Sequence, residues 1–466
     1  MEKQTNPEPE RLGQCHTHGP YHYTWSKLHW PKSHLEPLRQ EYDELGSAAL
    51  SKLQELSRTQ TSSTSPPEQT DLLALLKQHH PSDHTLSALW HELNTVPEWV
   101  DWAQLARGQR FFYRYAPANL MGFALQGFVG ENSAAAGVVE VLTRTGGFST
   151  RVLFRRLLET FQLVLQVTDF SSLVDSHVGP GGAAWETAIR VRLLHASVRN
   201  RILKLASTKD GYFDTAKYGV PVNTLDSIHS ISTFCCNHMW LQLPQQGVHP
   251  SPQEMADYIA LWRYVGYLLA TPTDEYFSTV ERAKATMESM LMHEHQITQT
   301  AVVLGHNFVE CLRDLPPFNV SAQFIEAGSR MMNGDEVCDA LGFDFEPSWY
   351  HYASWRGHCW LVRALAALQQ SMPSGVDEII LRWWRNTLHG AVIQSHAGLA
   401  GGSKMDFKYV PRADQMTAKE VNGRSRLPRS PLYRPVEAIY LAVWFSGVLV
   451  MIIVAAALVS TLQQLT

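Results

Sequence analysis

The chain has 466 residues, of which 45% are hydrophobic and 18% charged, a composition typical of a globular protein with few charges. Its formal net charge of −5 gives no basic surplus for nucleic acid, and no glycine-rich phosphate loop is present, so nucleic-acid or nucleotide binding is not indicated. The six cysteines include no CxxC pair, which argues against a zinc ribbon, a dithiol redox site or a covalently attached haem and fits a reducing compartment.

The first 70 residues are predicted to form an irregular arm and a linker. The polar start MEKQTNPEPERLGQ is neither a signal peptide nor a membrane anchor. Five histidines lie between positions 16 and 34, and their HTH and HYH spacings could bind a metal, but no acid or cysteine completes a ligand set. Residues 57–70 are rich in Ser, Thr and Pro, which is typical of a flexible link.

Residues 71–400 are predicted to form one all-α domain, because helical periodicity dominates and strand-like alternation is scarce. Residues 110–128 predict an aromatic helix, of which the part from Leu120 to Phe128 is apolar on nearly every side and is therefore expected to be central and buried. Residues 137–149 predict another helix, which contains Glu140 and ends at a Gly-Gly pair.

The segment from Arg151 to Val167 predicts an amphipathic helix with Arg156 and Thr160 on one side. Two interpretations of this polar pair remain open. Thr160 could make a structural hydrogen bond to its own helix, or the two side chains could be donors that face a cofactor or oxygen.

The segment from Ala183 to Leu205 contains no Gly or Pro and predicts a long helix. Val191, Leu194 and Val198, continued by later residues at the same spacing, predict one buried stripe with His195 beside it. A lone histidine on such a face is usually a hydrogen-bonded core residue, and the functional alternative is an axial iron ligand.

Further helices are predicted at 224–243, 251–272 and 376–398. The second opens with the capping-box pattern Ser251-Pro-Gln-Glu254. Several histidines of this half could serve a non-haem iron site together with acids, although no ExxH pair supports it. They are His229, His238, His293 and His295.

The C-terminal region predicts a membrane anchor. Residues 401–437 form a basic linker, and residues 438–459 are almost wholly apolar and long enough to cross a bilayer core of about 30 Å. Tyr440 and Trp444 suit an interfacial position. The alternative is a buried terminal helix.

Basic residues predict the orientation of this span. Four arginines precede it, and no charged residue follows it: Arg424, Arg426, Arg429 and Arg434. The positive-inside rule therefore places the large N-terminal body in the cytosol. Such a late span predicts a single-pass tail anchor, and the endoplasmic reticulum is the expected membrane.

A series of motifs across residues 90–395 resembles one known family. In order they are VPEWVDW, RGQRFFYRY, TRTGGF, FRRLLET, RVRLLHASVR, YGVPVN and ALWRYVGYLLATP. Together they resemble the catalytic domain of rubber oxygenases (latex clearing proteins) and of the related fungal ER-bound oxygenases of mycophenolic acid biosynthesis. The resemblance implies a globin-like all-α core that holds one haem b, attached only through a histidine.

The resemblance also implies roles for particular residues. His195 is similar to the proximal haem ligand, and Arg156 and Thr160 match the arginine and threonine of the family signature beside the haem. Rubber oxygenases can carry a lysine distal ligand just before that threonine, where this chain has Glu159. Glu159 therefore leaves the distal site open or acts as an acid or base, and Glu140 is a further candidate base.

The expected function is thus a membrane-anchored, haem b-dependent oxygenase that uses O₂. Its expected substrate is hydrophobic, isoprenoid-like or a secondary metabolite, and it is cleaved or oxygenated at an alkene. Two alternatives remain open: a non-haem iron hydroxylase and a non-catalytic, tail-anchored scaffold of the same fold.

Overall fold

The computed structural model confirms the all-α prediction. It describes residues 11–60, 71–146, 152–171, 177–315, 319–343, 346–405 and 434–465. Within these ranges the sheet structure consists of one N-terminal hairpin and an isolated bridge, and helices form nearly everything else. Most of the predicted basic linker lies outside the described residues, as do Gly147 and the three arginines before Arg434.

The helices follow one another along the chain. The α-helices of seven residues or more are α1 (Glu44–Gln60), α2 (Leu72–His79), α3 (His84–Asn94), α4 (Trp102–Arg114), α5 (Ala116–Gly122), α6 (Ala136–Arg144), α7 (Leu153–Val167), α8 (Ala183–Ala206), α9 (Thr224–Asn237), α10 (Pro252–Leu268), α11 (Val280–His293), α12 (Gln299–Leu312), α13 (Ala322–Asn333), α14 (Trp349–Gln370), α15 (Ser374–His389) and α16 (Pro435–Leu465).

Shorter helical segments connect them. Short α-helices are Lys32–Leu35, Asn132–Ala134, Thr215–Tyr218, Thr273–Tyr276 and Asp335–Ala340, and 3₁₀ turns are Glu36–Gln40, His80–Ser82 and Pro244–Gln246. π-Helical segments are Phe123–Glu131, His238–Gln242 and Gly390–Gln394. Side-chain caps start several helices, and the capping box predicted at Ser251 and Glu254 is present at the start of α10.

From residue 11 to residue 60 the N-terminal segment is folded onto the body, which differs from the irregular arm predicted there. Strands β1 (Cys15–His18) and β2 (Tyr21–Thr24) pair antiparallel. The segment then buries Trp25 and Trp30 almost completely, and the His29 ring nitrogen lies 2.8 Å from the carboxylate of Glu288 on α11. Because these large aromatic side chains are removed from water, the arm is part of the core.

The helical body packs around two large apolar clusters. The first runs from the N-terminal segment through α10 and α11, and the second surrounds the π-helical segment Phe123–Glu131, α12 and α13. Helices α4 and α10 approach each other closely at Gly108, where a Cβ would lie only 2.3 Å from the carbonyl oxygen of Asp257. A glycine at this crossing allows the two helix backbones to meet.

Helix α16 differs from the others in its exposure. Its segment Pro435–Ala455 has a mean hydropathy of 2.5 and is 6% buried, so it is long and apolar enough to span a membrane and is not a core helix. Its first turns nevertheless belong to the body, because Glu437 accepts a hydrogen bond from the backbone N–H of Ser321 and Tyr440 is buried against Phe324. The helix keeps contact with α14 beyond Tyr440, so the part of α16 that packs on the body overlaps the predicted span 438–459.

Gly108→Ala is expected to destabilise the body by about 1–3 kcal/mol, because the new methyl group forces α4 away from α10. Gly375→Ala is the matched control, since nothing lies within 4 Å of a Cβ at Gly375 and alanine favours helix. Chemical denaturation of both variants measures the difference. Equal stability of Gly108→Ala and wild type would contradict the close approach.

Candidate cofactor cavity

A cavity of about 250 Å³ lies between α6, α7, α8 and α9, with one end near α10. Its lining is mainly aliphatic and aromatic, as is typical of cofactor and small-molecule sites. The lining residues are Val138, Val141, Leu142, Thr145, Arg156, Glu159, Thr160, Leu163, Val191, Leu194, His195, Val198, Val222, Asp226, Ser227, Ser230, Ile231, Phe234, Trp262, Leu269, Thr271 and Met405. The structure therefore brings His195, Arg156, Glu159 and Thr160 to one place.

Helix α8 presents His195 at the boundary between two of its faces. Val191 and Leu194 line the cavity, so the predicted buried stripe is not a core stripe along its full length. The neighbouring face carries Arg192 and Arg199, which are 3% and 2% exposed. Sequence periodicity counts apolar residues and cannot distinguish a cavity wall from a packed core.

The His195 imidazole has no hydrogen-bond partner among the described residues. Burial lowers the pKa of His195 to about 4, and the nearby Arg199 guanidinium lowers it further. The ring is therefore neutral at physiological pH, with a lone pair available to a metal. This state differs from that of a hydrogen-bonded core histidine, which was the structural alternative.

The two buried arginines beside His195 are fully paired. The guanidinium of Arg192 makes two hydrogen bonds to Asp43, at 2.7 and 2.8 Å, and a third to Glu92 at 2.7 Å. Arg199 donates to the Ser47 hydroxyl at 2.7 Å. Since a buried unpaired cation is very costly, these contacts fix the rotation of α8 and thereby the direction of His195.

Arg199 also holds a strained turn at the cavity wall. Its guanidinium donates to the carbonyl oxygens of Pro221 and Val222 at 3.2 and 2.8 Å. Val222 has a φ of 55°, a left-handed conformation that is rare for a β-branched residue and persists only where surrounding contacts impose it. The YGVPVN turn is therefore held in place from α8.

On α7, Arg156, Glu159 and Thr160 all line the cavity. The Thr160 hydroxyl donates to the carbonyl oxygen of Arg156 at 3.0 Å, which is the structural hydrogen bond that the sequence left open. Arg156 donates to Glu159 at 2.9 Å. The other oxygen of Glu159 accepts a hydrogen bond from the hydroxyl of Ser403 at 2.9 Å, so this carboxylate joins the arginine to the chain segment after α15.

Glu140 is not brought to the cavity. It lies on α6, whose other residues Val141 and Leu142 do line it, but its carboxylate accepts a hydrogen bond from Arg144 at 2.9 Å one turn along the helix. Its helix position turns it to another face, so the structure gives no contact that supports Glu140 as a catalytic base.

Asp226 lines the cavity, and the sequence did not identify it as a site residue. It forms a capping box with Asn223 at the start of α9. Burial, together with the nearby Glu294 carboxylate, raises the pKa of Asp226 to about 7. This group therefore exchanges its proton near neutral pH. The available signal was the Asn-x-x-Asp spacing after YGVPVN, which indicates only a helix start.

Two of the histidines considered for non-haem iron come together elsewhere. His229 Nε2 is 3.5 Å and His295 Nε2 is 4.0 Å from Glu131 Oε1, and none of these residues lines the cavity. His238 instead stacks on Phe123, and His293 meets the edge of Trp25. Glu131 completes this group. Sequence analysis missed it because it precedes His229 by 98 positions and His295 by more, and such distant residues meet only in the fold.

The cavity residues fit a haem group in their chemistry. The neutral, unpartnered His195 nitrogen would be a suitable iron ligand, the aliphatic walls would suit the macrocycle, and Arg156 adds a cation to the lining. Among the described lining residues His195 is the one histidine and no cysteine is present, and Met405 offers a second soft ligand atom, its thioether sulfur.

Comparison with known proteins agrees with the predicted fold and family. A solved structure of latex clearing protein in the closed state is similar to this chain, with a TM-score of 0.54 and 17% identity over 75% of this chain and 91% of that one. At this identity the likeness establishes a shared fold. No curated protein sequence matches the chain. A sequence-family model described as "ER-bound oxygenase mpaB/B'/Rubber oxygenase, catalytic domain" matches residues 77–364, so the chain belongs to the mpaB/rubber oxygenase catalytic-domain family.

Proposed function

We propose that this protein is a haem b-dependent oxygenase that acts on a hydrophobic, alkene-containing substrate at a membrane. The observation that carries the proposal is the neutral, unpartnered imidazole of His195, which lines an apolar cavity that also contains Arg156. Family membership supports the oxygenase activity, and the family description includes rubber oxygenases, whose name indicates a polyisoprenoid substrate.

The cavity residues have distinct roles in this proposal. His195 would hold the haem iron through a ring nitrogen, and haem, when bound, would supply the activation of O₂. Arg156 stabilises negative charge that develops in the cavity, and this effect is large where water is excluded. Glu159 orients the Arg156 guanidinium through their hydrogen bond at 2.9 Å, and Thr160 serves the helix backbone.

The lining also supports a hydrophobic substrate. Aliphatic side chains from three helices, among them Val138, Leu163 and Leu194, surround the polar groups. Such walls bind an alkene chain by the hydrophobic effect and make no hydrogen bonds that select a polar substrate. Asp226 is the cavity carboxyl group that can hold or release a proton near neutral pH.

The exposed part of α16 supports a membrane location. From Leu449 to Val454 each side chain is more than half exposed, and all are apolar, a surface that is stable in lipid and not in water. We infer a single-pass anchor in the endoplasmic reticulum membrane, which matches the ER-bound description of the family. The arginines before the span favour a cytosolic body.

His195→Ala is expected to abolish haem retention and oxygenase activity together, because no other cavity residue offers an imidazole. Haem per chain in the purified protein, read from the Soret band, measures the effect. His358→Ala is the control, since His358 is 2% exposed and its ring is hydrogen-bonded to Gln246 outside the cavity. Wild-type haem content with an unshifted Soret band in His195→Ala would contradict the proposal.

Arg156→Ala is expected to lower the turnover rate about 100- to 1000-fold while haem remains bound, because a preorganised donor to developing charge is lost. Arg155→Ala is the matched control: its side chain is 59% exposed, and it lies 3.4 Å from the same Glu159 carboxylate. Turnover measured per haem separates the two. An unchanged rate in Arg156→Ala at full haem loading makes Arg156 a structural residue.

A chain that ends at Ala442 is expected to leave the membrane fraction in an alkaline carbonate wash while keeping its fold, because Glu437 and Tyr440 remain. A chain that ends at Glu437 loses the buried Tyr440 ring and is expected to be about 2–4 kcal/mol less stable. Sedimentation and thermal unfolding measure the two effects. Retention of the chain that ends at Ala442 in the membrane pellet would show that α16 is not the anchor.

A further inference from the structure

We propose that Glu131, His229 and His295 form a second metal site, which binds a divalent first-row transition-metal ion such as Zn²⁺ behind the wall of the haem cavity. Each residue offers one ligand atom, and these atoms all lie within 4.8 Å of one another. Two imidazoles and one carboxylate are a ligand set that suits Zn²⁺ and Fe²⁺ and does not suit Ca²⁺ or Mg²⁺, which prefer oxygen.

The two histidines are unpartnered in the described structure. Both ring nitrogens of His229, and both of His295, are buried and make no hydrogen bond. His229 is 2% exposed and Glu131 1%. Buried polar groups in folded proteins nearly always have a partner. Four ring nitrogens without a hydrogen bond in one place therefore indicate that a bound group is missing there.

The spacing of the ligand atoms suits a shared ion. Ligands that bind a tetrahedral ion at about 2.1 Å lie roughly 3.4 Å apart, and His229 Nε2 is already 3.5 Å from Glu131 Oε1. The separation between His295 Nε2 and the same oxygen is 4.0 Å. A shift of the His295 ring by roughly half an ångström would give this pair the same spacing, and all three ligand atoms already lie within 4.8 Å of one another.

Neighbouring groups hold the carboxylate in place. Gln126 donates to Glu131 Oε2 at 3.1 Å, and Thr233 donates to Oε1 at 3.3 Å. Gln126 is itself fixed by Gln242, whose amide donates to it at 2.9 Å. Hydrogen-bonded partners behind a ligand are a regular property of metal sites, because they set its direction and its charge.

The backbone also brings the three ligands together. Glu131 is the last residue of the π-helical segment Phe123–Glu131, and such segments occur frequently at functional sites. His295 follows α11 and is held beside this segment by a bridge with Ala135 and by the Gln296 N–H, which donates to the Ala134 carbonyl at 2.8 Å. The N-terminal hairpin covers the site, with His18 edge-on to His295.

This site is separate from the haem cavity although the two share α9. Ser230, Ile231 and Phe234 of α9 line the cavity, whereas His229 does not. An ion bound to His229 therefore joins α9 to two distant chain segments from behind the cavity wall. Its role is structural: it stabilises the wall, and it does not contact the substrate.

The test uses the full-length holoprotein, purified in detergent without a polyhistidine tag, saturated with Zn²⁺ and then dialysed. Elemental analysis is expected to find about one equivalent of Zn²⁺ per chain, in addition to any haem iron. X-ray absorption at the zinc edge is expected to show nitrogen and oxygen ligands. Less than about a tenth of an equivalent of Zn²⁺ per chain, or sulfur ligands at the zinc edge, would overturn the proposal.

Variants locate the ion. Two single variants are each expected to lower bound Zn²⁺ about tenfold or more. Glu131→Gln keeps the shape of the side chain but removes its charge, and His229→Ala removes an imidazole ligand. His22→Ala, on the exposed hairpin, and the buried His358→Ala are matched controls that keep Zn²⁺. Loss of Zn²⁺ in His22→Ala and retention in Glu131→Gln would assign the ion to the surface and refute the site.

A second measurement covers variants that fold poorly. In wild type, added Zn²⁺ is expected to raise the thermal unfolding temperature and a chelator to lower it, because the ion binds only the folded state. His195→Ala is expected to lose haem but keep this zinc response, so the two proposals fail independently. An unfolding temperature of wild type that is indifferent to both Zn²⁺ and chelator contradicts the second site.

Discussion

The pairing of two buried arginines on α8 is the constraint on which the cavity depends. Arg192 and Arg199 are almost completely removed from water, so each requires acceptors in fixed positions. Asp43 supplies them for Arg192, and the carbonyl of Val222 supplies one for Arg199. These contacts set the rotation of α8, position the turn that forms part of the wall, and leave the intervening His195 without a partner of its own.

The need of a charged group for fixed hydrogen-bond partners also explains the arrangement of Arg156 and Glu159 on α7. The two oxygens of Glu159 accept hydrogen bonds from Arg156 and Ser403. The carboxylate therefore keeps the guanidinium at the cavity rim and attaches the segment after α15 to the body. Both oxygens of Glu159 are engaged in these hydrogen bonds, whereas burial raises the pKa of Asp226 to about 7, so Asp226 is the better suited acid or base.

Helix α9 lies between the cavity that contains His195 and the proposed metal site at Glu131, His229 and His295. One of its faces, including Phe234, closes the cavity, and another carries His229 toward Glu131. The histidines on the two sides share a physical property, since burial lowers the pKa of both His195 and His229. A cofactor on one side and an ion on the other would each satisfy groups that the protein leaves open.

The sequence by itself determined the all-α class, the apolar C-terminal helix and the presence of His195, Arg156 and Thr160 in ordered motifs, because helical periodicity and motif spacing are local properties. It could not show that the histidine-rich N-terminal segment is packed into the core, that Glu140 turns away from the cavity, or that Glu131 meets His229 and His295. These features depend on which helix faces meet. Only tertiary packing decides that, since it brings together side chains that lie far apart along the chain.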